Sequence, residues 1–118
     1  MKKGYMVIIP PHKDAWVECF GGMEKAQSLI ASKLGSMVRC DPCRSFGSEA
    51  TMISPCSVKK SSLPVNETAT YFATHITGED NVYGAAVIIG REDDRVVPLT
   101  KEAADFILFE INKLRNPI

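Results

Sequence analysis

This chain has no long apolar run and no surplus of charge of either sign. Apolar stretches such as Met6–Ile9 and Ala85–Ile89 are far too brief for a membrane span or a signal-peptide core, even behind Lys2 and Lys3. A cytoplasmic location with no membrane partner is therefore expected. Fourteen Lys and Arg side chains balance fourteen Asp and Glu in 118 residues, so no global field recruits nucleic acid or an anionic surface. Nucleic acid is not an expected partner. Histidine is scarce: His12 and His75 stand in no spaced ligand pattern and read as turn or surface residues. No glycine-rich run leads into Lys and then Ser or Thr, which excludes a phosphate loop of that type. No acid, base and nucleophile converge in the pattern, so the balance is against an enzyme. There is no internal repeat and no low-complexity tract, and the length suits one hydrophobic core and a single domain, residues 1–118.

What is present is clearest from Asn81 to Leu114. Ala85, Ala86, Val87, Ile88 and Ile89 run unbroken between Gly84 and Gly90, a short, β-branched, glycine-bounded stretch that suits a central strand covered on both faces. Gly90, Arg91, Glu92, Asp93 and Asp94 form a charged turn. Val96 and Val97 then resume an extended path that Pro98 ends, since proline cannot donate to a ladder. The pattern predicts a hairpin with a solvated acidic tip; Glu92, Asp93 and Asp94 lack the spaced oxygen ligands and central glycine of a calcium loop. Thr100 stands at an N-cap position with Glu102 near the positive end of the helix dipole. Ala103, Phe106, Ile107, Phe109, Ile111 and Leu114 read as one broad apolar face, with Lys113 and Arg115 at the negative end before Pro117.

Upstream, Tyr5 to Ile9 reads as a strand stopped by Pro10 and Pro11, and Ala15 to Phe20 as its neighbour across a turn through His12, Lys13 and Asp14. Met23, Ala26, Ile30 and Leu34, with Leu29 beside them, fall on one helical face ended by Gly35. Met37 and Val38 open a strand toward Cys40, and Thr51 to Ile53 opens its hairpin partner across a polar loop from Arg44 to Glu49. Residues 58–65 read as loop. Asn66 to Ile76 fits either a short helix capped by Asn66 or a strand, because Thr68, Thr70, Tyr71 and Thr74 tolerate both; a turn through Gly78 to Asn81 follows. Asn66, Glu67 and Thr68 also match a glycosylation acceptor, which matters only in a secreted protein. The expected class is α+β: a mostly antiparallel sheet of about five or six strands with two main helices, about residues 22–34 and 100–114.

Four cysteines form the one constellation with chemical potential. Cys40 and Cys43 flank two residues, a spacing at which both sulfurs reach one metal ion or form a tight disulfide, and Cys56 and Cys19 would complete a tetrahedral thiolate set for structural zinc. A zinc ribbon normally shows two close pairs, and here there is one. A redox role would need the pair at a helix N-terminus, whereas Arg44 to Gly47 read as loop. Small thiols in a reduced cytosol are the competing reading.

The order of a helix over Gly22 to Leu34, a strand pair, Leu63-Pro64-Val65-Asn66, Val82-Tyr83-Gly84 leading into Ala86 to Gly90, an acidic turn, and Leu99-Thr100 opening a last helix resembles an uncharacterised family. This is a family of small domains of unknown function, found largely in phage, prophage and conjugative-element proteins of Gram-positive bacteria. The resemblance spans most of the chain through short, non-catalytic motifs, carries over no site residue, and leaves the cysteine pair outside its pattern. It implies an accessory protein of a phage or mobile element in the cytoplasm of a bacterial host. Two functions follow as expectations. One is non-enzymatic binding of a protein partner, including inhibition of a host defence protein, with Trp16, Tyr71 and Phe72 as anchors. Trp16 with Phe20 could form such an anchor, but alternate positions on a strand more often place such residues in the core. The other is a thiol or structural-zinc protein using Cys40, Cys43 and Cys56. A chain this small would also gain buried area as a homodimer paired through an edge strand.

Overall fold

A computed structural model describes residues 3–35, 38–42, 50–55, 63–72 and 82–115. Their backbone forms β1 (Gly4–Ile9), β2 (Trp16–Phe20), α1 (Met23–Leu34), β3 (Val38–Pro42), β4 (Ala50–Pro55), α2 (Glu67–Phe72), β5 (Ala86–Glu92), β6 (Arg95–Val97) and α3 (Lys101–Arg115). The six strands make one sheet in the order β2-β1-β5-β4-β3, with β6 also paired to β5, and every pairing is antiparallel. The α+β expectation and both main helices are thus observed.

Side chains alternate across the pleat and so feed two cores. Val7, Ile9, Met52, Ala86 and Ile88 face Ala104, Ile107 and Ile111 of α3 and Ala69 and Phe72 of α2. On the opposite face Met6, Ile8, Ile53, Val87 and Ile89 pack against Ala26, Ile30 and Leu34 of α1. The apolar run expected as a central strand is that strand: β5 pairs with β1, β4 and β6, and Ala86 to Ile89 are fully buried. Gly35 ends α1 with a φ of 91° while its N–H donates to the Ala31 carbonyl at 2.9 Å, the left-handed backbone for which glycine is suited.

β6 enters the sheet as a wedge. Val7 pairs with Ile88, but two residues further along the ladder Gly90 pairs with Val97 and Tyr5 exchanges hydrogen bonds with Leu99 at 3.1 and 2.9 Å. The segment ending at Leu99 therefore parts β1 from β5 and delivers the chain to the start of α3. Glycines lie on both sides of it. A Cβ on Gly90 would meet the Val97 carbonyl oxygen at 2.8 Å, and one on Gly4 the Pro98 Cβ at 2.5 Å.

Glu67–Phe72 form a helix, so of the helix and the strand expected for that stretch the helix is observed as far as Phe72. Asn66 is its buried N-cap: Oδ1 accepts the Ala69 N–H at 3.0 Å. Both Nδ2 hydrogens are also used, one on the Ile9 carbonyl at 2.8 Å and one on the Gly84 carbonyl at 2.9 Å. A buried amide with all its donors engaged is closed to glycosylation in the folded chain. The strand expected from Val38 toward Cys40 is β3, and it pairs antiparallel with β4, its expected hairpin partner; Met37, the predicted loop over Arg44 to Glu49 and the turn through Gly78 to Asn81 lie outside the described residues.

Candidate functional site

The last helix presents its aromatic residues to solvent. Thr100 Oγ1 accepts the Ala103 N–H at 3.1 Å, so the predicted cap is formed. Thr100→Ala should cost about 1 kcal/mol, measurable as a small fall in the denaturant midpoint at constant m-value. In the first turn Lys101 Nζ donates to Asp105 Oδ2 at 2.8 Å. That hydrogen bond, and then the charge of the same carboxylate, hold Lys101 above the ordinary lysine pKa. A raised lysine pKa means that the pair's contribution is complete below the ordinary lysine value and is lost as pH rises through the folded one.

Ala104, Ile107 and Ile111 are buried, whereas Phe106 and Phe109 are 56% and 59% exposed. The apolar face of this helix is therefore narrower than expected, with Phe106 and Phe109 outside it. At about 100° per residue, Phe109 stands about 160° around the axis from Ile107. Lys113 Nζ rests 5.5 Å from the centroid of the Phe109 ring and 3.5 Å from Glu110 Oε2. Phe106 also borders a cleft of about 450 Å³ between the start of α3 and the β5–β6 hairpin, with Arg91, Glu92, Pro98 and Thr100 on its other walls. Burying such a ring is worth about 1.5–3 kcal/mol, so two on one exposed helix face are suited to contact another apolar surface. Because both point away from the core, Phe106→Ser combined with Phe109→Ser should leave stability within about 1 kcal/mol of wild type, checked by thermal unfolding at low protein concentration.

The anchors expected from sequence separate. Tyr71 is 52% exposed, but Phe72 is only 3% exposed and packs beneath it, edge to face at 5.1 Å between centroids. Phe72 is corrected from contact residue to core residue, because successive positions on α2 point to different sides. Trp16 lies on the edge strand β2 and is 37% exposed, with its Nε1–H donating to Glu18 Oε1 at 3.0 Å and Lys33 Nζ 5.4 Å above its ring. Of the Trp16–Phe20 pair, Phe20 is the one in the core. His12 is exposed in the β1–β2 turn with a φ of 61°, and His75 lies outside the described residues.

Cys19 on β2 and Cys40 on β3 are both exposed, and they sit on opposite edges of the sheet. Four strand spacings of about 4.8 Å keep them roughly 19 Å apart, so Cys19 does not share an ion with Cys40. Among the described residues no three His, Cys, Asp or Glu side chains come together as a metal site. The zinc expectation contracts to Cys40, Cys43 and Cys56, of which Cys43 and Cys56 lie outside the described residues. Metal analysis of protein purified without chelator decides it: less than about a tenth of an equivalent of zinc, with melting unaltered by chelation, removes that reading. The acidic tip is balanced locally. Arg95 Nη2 lies 3.2 Å from Glu92 Oε1 and Arg91 Nε donates to the Asp93 carbonyl at 2.8 Å, as expected of a solvated hairpin end.

No helix among the described residues is long and apolar enough to cross a membrane. Compared with protein-family models, with curated proteins and with solved structures, the chain matches none.

Proposed function

We propose that the protein acts by binding another protein, without catalysis, as an accessory factor of a phage or mobile element in the cytosol of a bacterial host. Inhibition of a host defence protein is one form this takes. The observation that carries the binding role is the exposed pair Phe106 and Phe109 on α3, with Tyr71 half-exposed and Trp16 partly exposed; the mobile-element setting rests on the sequence resemblance alone. Glu102 at one end of the aromatic pair and Lys113 at the other define the complementary partner. It offers an apolar face bordered by a base near the start of α3 and an acid near its end. The test is capture from host lysate by immobilised wild type and by the Phe106→Ser, Phe109→Ser double variant. A protein retained by the first and lost by the second is the expected result. Identical eluates from the two, with both proteins folded, would defeat the proposal.

A further inference from the structure

Glu102, Phe106, Phe109 and Lys113 follow one another at spacings of four, three and four residues, the period of a coiled-coil seam. At about 100° per residue they fall within roughly 60° of arc, so they form a single stripe down the exposed side of α3. The stripe reads acid, ring, ring, base. Turned end for end about the point between Ile107 and Leu108, it maps onto itself with the signs exchanged: Phe106 takes the place of Phe109, and Glu102 that of Lys113.

We infer that the occupant of this face is a second copy of the same chain, with the two α3 helices packed antiparallel about a two-fold axis. This rests on the reading that the α3 aromatic face is the contact surface. In that arrangement each Phe106 meets the partner's Phe109, and each Glu102 meets the partner's Lys113. A contact related by a two-fold axis must be self-complementary, and the antiparallel stripe is. A parallel pair would set acid on acid and base on base, and would align the two helix dipoles unfavourably. Phe106 and Phe109 are 56% and 59% exposed, so four rings of about 150–250 Å² each have roughly 350–600 Å² left to bury, and even with the stems of Glu102 and Lys113 the contact stays below the roughly 1,200 Å² lower bound of stable specific interfaces. The dimer is accordingly a weak one, with dissociation in the micromolar range. Its interface is not the sheet-edge pairing expected from sequence, and it leaves β2 and β3 outside the contact.

Sedimentation or light scattering across about 1 to 100 µM should show the mass rise from one chain to two. Glu102→Lys alone and Lys113→Glu alone should each raise the dissociation constant by about tenfold or more, because every charged contact becomes repulsive. An equimolar mixture of the two variants should recover the dimer. One chain then carries two bases in the stripe and the other two acids, and recovery also shows that both variants are folded. A wild-type dimer insensitive to either charge reversal, or dissociating no more readily with Phe109→Ser, would overturn the inference in favour of an edge-strand contact. So would a wild type monomeric throughout the range. In that last case, loss of lysate capture in the double Phe variant would keep the proposed binding role with a foreign partner, which separates the two failures.

Discussion

Asn66→Ala is expected to cost about 3–4 kcal/mol and to lower the melting temperature by about 10–15 °C. Asn66 is buried, and its one side chain caps α2 through the Ala69 N–H while tying down the carbonyls of Ile9 and Gly84. Those carbonyls belong to the end of β1 and the approach to β5, so the amide holds α2 to the centre of the sheet. Alanine leaves two carbonyls and one N–H short of a buried partner, and each such group costs about 1–3 kcal/mol if water does not reach it. Set against the roughly 5–15 kcal/mol that holds a domain together, this is a large loss. Asn66→Asp separates the roles. The carboxylate keeps the acceptor for Ala69 but faces two carbonyls with no hydrogen to give, so its melting temperature should fall nearly as far. A fall under about 3 °C for alanine, or full recovery by aspartate, would show that the cap alone matters.

The second large effect is expected at the wedge. Gly90→Ala places a methyl 2.8 Å from the Val97 carbonyl oxygen and 3.0 Å from that of Pro98, and neither backbone group can turn aside as a flexible side chain would. Relief requires β6 to move away from β5, which strains the Tyr5–Leu99 exchange and with it the start of α3. We expect a loss of about 2–3 kcal/mol, in the range of overpacked cores. Gly21→Ala is the control. A Cβ there meets nothing within 4 Å, and the change should stay within about 0.5 kcal/mol of wild type. Chemical denaturation of the two variants side by side reads the difference; equal midpoints would mean that β6 yields without cost.

The elements that sequence reasoning placed well are those whose cause is local. Thr100 before a periodic run, Gly35 after one, and an acidic turn between two β-branched segments each act through neighbours a few residues away, so α1, α3 and the β5–β6 hairpin were legible. The Asn66 amide was not, because its two carbonyl partners lie 57 and 18 residues distant. Nor was the direction of the phenylalanines. Phe106 and Phe109 share the apolar character of Ile107 and Ile111, although helix geometry puts the two sets on different sides. The spacing of four, three and four from Glu102 to Lys113 was a usable signal for the candidate surface. Phe72 and Tyr71 show the limit from the other side: adjacent aromatics on a helix of six residues carry no period, and only the packing of α2 on the sheet tells which is buried.

The place of β1 between β2 and β5 bears on how the chain is made. Synthesis proceeds from the amino end, so β1 and β2 can pair as a hairpin early, while the other neighbours of β1, β5 and the Leu99 segment, emerge only after more than sixty further residues. Through that interval Val7, Ile8 and Ile9 present an unpaired apolar strand edge, of the kind that joins strands of other chains. The nascent protein is therefore most exposed to misassembly just before β5 and the Leu99 segment arrive. Chaperone dependence should then follow the rate of translation rather than the stability of the finished fold.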